Sequence, residues 1–156
     1  MPPPPNGTPV LLPLFDRLTD ENPRVSREVP PNEWERMAAF KKSVARDLTN
    51  LLNTRINEAD FPEEYKQVRQ SVAAYGVQDY SRSPVEKDDI RRSIERAISR
   101  FEPRLTRVQV QVKEGGPLEL HFRISAYLKA DLGSEPVLFD AELPNQTRRF
   151  QVSEDR

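Results

Sequence analysis

Apolar side chains in the first part of the chain recur at intervals of three and four residues. The clearest stripe consists of Met37, Phe40, Val44, Leu48 and Leu51. Because residues three and four apart share one face of an α-helix, this spacing predicts an amphipathic helix from about residue 32 to residues 53–55. Its start carries a capping arrangement, since Asn32 is followed three residues later by Glu35.

A second and shorter helix is predicted from Tyr65 to Tyr75, after a connection over residues 56–64. Val68, Val72 and Tyr75 share one of its sides. Gly76 follows directly, and glycine commonly ends a helix in a left-handed conformation. We therefore expect this helix to stop at Gly76.

The third predicted helix is marked at both ends. Residues 83–86 read Ser-Pro-Val-Glu, an N-cap hydroxyl at Ser83, a first-turn proline and a glutamate at the third position. Asp88 and Asp89 then place negative charge near the positive end of the helix dipole. The buried stripe is predicted to consist of Ile90, Ile94, Ala97, Ile98 and Phe101. Pro103 ends the helix, because its ring disfavours helical geometry at Glu102.

Beyond Pro103 the apolar period changes from 3.6 to 2. Apolar and polar residues alternate over 108–113 and again over 118–129, on either side of a turn at 114–117. This pattern is typical of an antiparallel hairpin with one face on the core. A third strand is predicted at 137–140 and a weaker fourth near 149–152. The sequence thus predicts an α+β fold, with N-terminal helices packed on one face of a small, mainly antiparallel sheet of three to four strands.

The ends of the chain differ from its middle. Residues 1–13 contain six of the 15 prolines and predict an extended, flexible Pro-rich tail. Residues 14–18 form a short apolar patch, a candidate helical turn or strap against the core. We expect a single domain over residues 14–152 and a short tail over 153–156.

Composition narrows the classes of partner. The 24 basic and 25 acidic residues nearly cancel, which argues against nucleic acid or an anionic membrane as a partner. There is no cysteine, and therefore no disulfide or thiolate metal site. No apolar run approaches the roughly 18 residues that span a bilayer, and the N-terminus does not resemble a secretory signal. We expect a cytoplasmic protein without direct membrane insertion.

Candidate chemistry is sparse. His121 is the only histidine, and the strand pattern places it on the exposed face of the sheet without a nucleophile and acid arranged around it. One histidine and no cysteine leave few metal ligands, and no glycine-rich phosphate loop is present. A pair of carboxylates for sugar hydrolysis is always available among 25 acidic residues and is therefore uninformative. We expect no enzyme activity, no cofactor, no metal and no small-molecule substrate.

Three segments have sequences that are more specific than the hydrophobic periodicity of a helix or strand would require. They read KSVARDLTNLLNTR at 42–55, SVAAYGVQDYS at 71–81 and IERAISRFEPRL at 94–105, the last leading into the strand at 108–110. Together they resemble the TssE family of type VI secretion baseplate subunits. That family is grouped with the baseplate wedge protein of contractile-tailed phages under the label "lysozyme-like". The resemblance covers about residues 14–152.

The resemblance implies a structural part of a contractile injection machine, in a baseplate assembled near the inner membrane. Such subunits bind other wedge subunits and sheath proteins and provide the platform on which the sheath begins to polymerise. It also marks Glu102, Pro103 and Arg104 as the family's functional signature, tied to protein contacts. A peptidoglycan-cleaving muramidase and a regulatory binding domain of the same fold remain alternatives.

Two surfaces are candidates for such contacts. At the first, Pro103 ends the helix abruptly, so that Glu102 and Arg104 would be displayed at a rigid corner where Arg104 bonds a partner's carboxylate. The alternative is that Arg104 pairs internally with Glu102 or caps helix carbonyls. The second surface is a free sheet edge, which would accept a strand from another chain.

Overall fold

The structure is a computed structural model that describes residues 16, 18, 19, 32–57, 64–79, 86–113, 119–130, 133–144 and 146–155. The Pro-rich tail and the 114–117 turn lie outside these residues. Helix α1 (Glu33–Asn53) begins as predicted with a capping box. The Asn32 side chain accepts a hydrogen bond from the Glu35 amide at 2.8 Å, and the Glu35 carboxylate accepts one from the Asn32 amide at 2.9 Å.

The segment after α1 departs from prediction. It contains strand β1 (Arg55–Ile56), helix α2 (Lys66–Arg69), a single 3₁₀ turn (Val72–Ala74) and strand β2 (Val77–Gln78). The continuous helix over residues 65–75 was wrong, because the Ser71 hydroxyl accepts the Ala73 amide at 3.2 Å and starts a new turn. Val72 is therefore not on a buried helical side and is 83% exposed.

Gly76 has the positive φ that the sequence suggested, at 135°. The positive φ is required because the backbone at Gly76 lies close to the backbone at Thr54, and not only because a turn ends there. The Val77 amide donates to the Thr54 carbonyl at 2.9 Å, which starts a short parallel pairing of β1 with β2. A Cβ at Gly76 would lie 2.5 Å from that Thr54 oxygen, so only glycine fits. Strands of two residues carry no alternation, and for this reason the sequence did not reveal them.

Helix α3 (Lys87–Phe101) starts later than predicted. Its N-cap is Glu86, in extended conformation, so the predicted cap at Ser83 was wrong; residues 83–85 lie outside the described part. Asp88 and Asp89 occupy the first turn, where the helix dipole favours them. The helix ends as predicted, with the Glu102 amide donating to the Ile98 carbonyl at 2.9 Å immediately before Pro103.

The predicted α+β architecture is confirmed. Four antiparallel strands, β3 (Leu105–Lys113), β4 (Glu119–Ala130), β5 (Gly133–Pro144) and β6 (Gln151–Glu154), follow one another in sheet order β3-β4-β5-β6. The third strand is longer than predicted because it pairs with β4 along its whole length. The fourth is shifted towards the C-terminus, so Ser153 and Glu154, expected in a tail, pair with Asp140 and Phe139.

The core lies between the helices and one face of the sheet. The predicted helical stripes supply much of it, and residues of β3, β4 and β5 together with Phe150 complete it. Its fully enclosed large side chains are Val44, Leu48, Leu51, Leu52, Ile94, Ile98, Phe122, Ile124, Leu128 and Phe139. Because α1 and α3 pack on the same face, the corner between α3 and β3 is held against α1.

Candidate interaction site at the helix-to-strand junction

The chain turns sharply from α3 into β3 at Glu102-Pro103-Arg104. The turn is closed by a hydrogen bond of 3.1 Å from the Leu105 amide to the Glu102 carbonyl. On the other side, the Lys129 amide of β4 donates to the Arg104 carbonyl at 2.8 Å. Main-chain bonds on both sides therefore fix the direction in which the three side chains leave the backbone.

Glu102 and Arg104 form a bidentate ion pair. Arg104 Nε donates to Glu102 Oε1 at 2.6 Å, and Arg104 Nη2 donates to Glu102 Oε2 at 2.5 Å. The planar fork of a guanidinium matches the two oxygens of a carboxylate in this way. Glu102 is only 5% exposed, so this carboxylate is satisfied inside the protein.

Helix α1 supplies further partners for Arg104. Its Nη2 donates to Asp47 Oδ2 at 2.7 Å and its Nη1 to Ser43 Oγ at 3.4 Å, while the guanidinium lies 5.7 Å from the centre of the Phe40 ring. Burial alone would lower the pKa of Arg104, but the bonds and charges of Glu102 and Asp47 outweigh it and raise that pKa. Arg104 thus stays charged and ties α1 to the junction.

The network continues to Asp16, near the start of the described chain. Ser43 Oγ donates to Asp16 Oδ2 at 2.7 Å, and Arg46 Nη1 donates to Asp16 Oδ1 at 2.5 Å. The hydrogen bond from Arg46 lowers the pKa of Asp16, against the opposing effect of burial. Asp16 and Leu18, the two described residues of the segment 14–18, are both helical, which agrees with the predicted helical turn. Asp16 also ties this segment to α1.

The structure corrects how the junction was expected to look. Glu102 is not displayed at the surface but buried, and Arg104 pairs internally, which is the alternative that the sequence left open. The physical reason is that α1 brings Ser43 and Asp47 beside the junction, so two charged residues adjacent to a helix end are enclosed. Pro103 is exposed, and the Arg104 side chain keeps 20% of its surface accessible.

Sequence reasoning missed Asp16, Ser43 and Asp47 as members of this cluster. Ser43 and Asp47 lie inside the string at 42–55, but their spacing four residues apart, beside the apolar stripe, was the only signal that they share a helix face. Nothing in the sequence relates Asp16 to Arg46 across 30 positions.

An open hollow lies beside the junction. It has a volume of about 510 Å³ and is lined by the three junction residues, Asp47, Phe40, Leu51, Tyr75 and Phe101. The rings of Tyr75 and Phe101 meet edge to face at 5.4 Å. Burial raises the pKa of the Tyr75 hydroxyl, and the carboxylates of Asp47 and Glu102 raise it further. The hollow therefore combines an apolar wall with a charged rim.

Both edges of the four-stranded sheet are partly occupied by helix side chains. On β3, the Val110 amide donates to Glu95 Oε2 of α3 at 3.3 Å. Beside β6, Asn53 accepts the Phe150 amide at 2.8 Å and donates to the Phe150 carbonyl at 2.9 Å. The Val152 amide donates to Thr49 Oγ1 at 3.3 Å. A strand from another chain would meet these side chains first.

His121 lies on the sheet face opposite the helices, half-buried, with Nδ1 3.7 Å from Glu142 Oε1. Among the described residues, no three histidine, aspartate or glutamate side chains are grouped so as to hold a metal ion. In the same part of the chain, no helix is long and apolar enough to cross a membrane.

The sequence model of the family described as "Baseplate wedge protein gp25" matches residues 38–132. This range includes most of α1, the junction and the β3–β4 pair, and it covers more than half of the chain. The chain belongs to the baseplate wedge protein gp25 family. This is the family of the TssE resemblance, which is confirmed, and it is a family of structural baseplate components. Neither the curated proteins nor the solved structures contain a match to the chain.

Proposed function

We propose that this chain is a baseplate subunit of a type VI secretion system that binds other wedge subunits and initiates polymerisation of the contractile sheath. The match to the baseplate wedge family over residues 38–132 carries the proposal. A structural role agrees with the charged cluster around Arg104, whose described members are bonded to one another inside the protein. We place it in the cytoplasm, with the baseplate near the inner membrane.

Glu102, Pro103 and Arg104 form the proposed protein-binding site, with unequal roles. Glu102 positions Arg104, since its carboxylate takes two bonds from the guanidinium. Pro103 and the accessible side of Arg104 meet the partner, and the adjacent hollow receives an apolar side chain. Because Arg104 is already held in place, little side-chain entropy is lost when a partner binds.

Strand addition to the sheet is the second proposed contact. The helix side chains occupy the outward amides of Val110 and Val152. Backbone groups that point away from the sheet recur every second residue along a strand. The next such groups after Val110 and Val152 are therefore those of Val112 on β3 and Glu154 on β6. An incoming strand is therefore expected to pair at these strand ends rather than along a full edge.

The proposal that the chain is a baseplate subunit is tested by co-purification with the sheath and wedge subunits encoded beside it. Retention of wedge subunits by the wild-type chain is the expected result. If the wild-type chain retains neither wedge nor sheath subunits, the baseplate assignment is wrong.

The test of the binding site uses Pro103→Asp, which places a charge on the exposed corner without touching the Glu102–Arg104 bonds. We expect at least a tenfold loss of retained wedge subunits with unchanged urea unfolding. Gln146→Asp, in the exposed turn before β6, is the matched control and should bind as the wild type does. An Arg104→Ala chain that folds normally and still supports sheath assembly would contradict the contact role.

A further inference from the structure

A second arginine cluster lies near the C-terminal end of α3, in a pocket that Phe101 also lines. Arg69 of α2 and Arg96 and Arg100 of α3 line a pocket of about 120 Å³, here called the basic pocket. Its inner wall consists of small or backbone-presenting residues, all of them buried: Ala74, Gly76, Ser93 and Ala97. The arginines therefore share a pocket whose buried lining includes several short side chains.

Arg96 and Arg100 differ from two other arginines of α3 in their described partners. One turn earlier, Arg91 donates to Asp88 at 2.6 Å and to Glu95 at 3.1 Å, and Arg92 donates to Asp89 at 2.9 Å. Within the described part of the chain, neither Arg96 nor Arg100 forms an ion pair. None of the described residues that line the basic pocket is acidic.

Arg100 is nonetheless held in position. Its Nη1 donates to the Arg69 carbonyl at 2.9 Å, and its guanidinium lies 5.9 Å from the centre of the Phe101 ring. A carbonyl and an aromatic face orient a guanidinium without neutralising its charge. A positioned cation with its charge uncompensated is favourable for binding an anion, because less side-chain entropy is lost on binding.

Exposed apolar side chains lie close in the chain to Arg69, one of the residues that line the basic pocket. Tyr65, Val68 and Val72 flank Arg69 in the chain and are exposed, Val72 to 83%. Burying such side chains contributes about 25 cal/mol per Å² of apolar surface. A ligand that carries both a carboxylate and an apolar side chain would use both features, whereas a free inorganic anion would use only the arginines.

We propose that the basic pocket binds an acidic segment of another protein, with a glutamate or aspartate carboxylate between Arg96 and Arg100 and a neighbouring apolar side chain on Val68 and Val72. The forked donors of arginine match a carboxylate geometrically. This surface is separate from Glu102-Pro103-Arg104, and the proposal does not depend on the baseplate assignment.

The test is selection of peptides from a randomised library on the immobilised full-length chain. We expect the retained peptides to be enriched in glutamate or aspartate next to an apolar residue. Their affinity should fall at least tenfold for Arg96→Gln/Arg100→Gln. The matched control is Arg91→Gln/Arg92→Gln, which removes two positive charges from the same helix and should leave the affinity unchanged within twofold.

Two further measurements distinguish the contribution of the apolar contact from that of the arginines. Val72→Ser should weaken the selected peptides several-fold, since it removes the apolar contact at an exposed position. Inorganic phosphate should compete only weakly. The proposal is overturned if no peptide is retained, if the retained peptides are not acidic, or if Arg96→Gln/Arg100→Gln binds them like the wild type. Phosphate that binds as tightly as the peptides would also overturn it, in favour of a simple anion site.

Discussion

Two arginine clusters lie at the same end of α3 and differ in what surrounds them. At the junction, Arg104 bonds two carboxylates and a hydroxyl of its own chain. In the basic pocket, Arg96 and Arg100 form no ion pair with the described residues. The charge on the side chain is the same, so the difference comes from the elements that pack beside it. An arginine surrounded by internal carboxylates stabilises the fold, and one without them is available to a partner.

The comparison also predicts how each cluster responds to substitution. Removing one member of a buried ion pair leaves an uncompensated charge, which costs far more than the pair contributes by itself. Removing an exposed arginine that has no carboxylate partner leaves no buried charge behind and changes stability little. Substitutions at the junction should therefore lower stability, whereas substitutions in the basic pocket should lower binding and leave stability nearly unchanged.

The largest expected effect belongs to Glu102→Gln. This change keeps the shape of the side chain but removes the negative charge that holds Arg104. We expect a loss of about 3 kcal/mol in the free energy of unfolding, measured by urea denaturation. Asp88→Asn, which weakens an exposed ion pair on α3, is the control and should lower the free energy of unfolding far less, because solvent screens exposed pairs. Equal losses for the two variants would show that the junction is not a buried ion pair.

A smaller effect is expected for Gly76→Ala, on the wall of the basic pocket. The added Cβ would lie 2.5 Å from the Thr54 carbonyl oxygen, at a φ of 135° that alanine rarely adopts. We expect a loss of about 2 kcal/mol in thermal unfolding. If Gly76→Ala is as stable as the wild type, the close pairing of β1 with β2 is not part of the folded state.

The pH dependence of the junction should be carried in part by Asp16. Because the hydrogen bond from Arg46 lowers its pKa below the ordinary 3.8, Asp16 stabilises the folded chain most fully above about pH 5. This contribution is lost as the pH falls through the lowered pKa. We expect the difference in unfolding free energy between wild type and Asp16→Asn to be constant from about pH 5 to 7 and to shrink below about pH 4. A difference that grows on acidification would contradict this contact.

The smallest effect on stability is expected for Arg96→Gln/Arg100→Gln. Both side chains are exposed, and a change at such positions typically alters the free energy of unfolding by less than about 0.5 kcal/mol each. Peptide binding should be lost all the same. A loss of stability as large as that of Glu102→Gln would remove the distinction between the two clusters.

The long periodic segments were predictable from the sequence. The stripe from Met37 to Leu51 and the alternation in β4 each repeat many times, so tertiary packing reinforces what the pattern indicates. The segment 65–78 was not predictable in the same way. Its elements are two to four residues long, and the Ser71 hydroxyl starts a new turn by accepting a local hydrogen bond that hydrophobic periodicity does not reveal.

The position of the candidate site was predictable, but its internal chemistry was not. Pro103 indicates in the sequence where the helix ends, because proline is not tolerated in the interior of a helix. Whether Arg104 faces inward or outward depends on Asp47, which lies 57 positions earlier and reaches the junction only through the packing of α1. The two-stranded sheet and the partial covering of the strand edges escaped prediction for the same reason, since they follow from contacts between distant segments.

The span of the Arg104 network also has a kinetic consequence. Its bonds to Ser43 and Asp47 close loops of 61 and 57 residues, and contacts between such distant positions are costly to form early. We expect them to form after the main folding barrier, so that Asp47→Asn would speed unfolding in stopped-flow experiments and leave the folding rate nearly unchanged. The junction would then determine how long a folded subunit survives while it waits for its partners, rather than how quickly it is made.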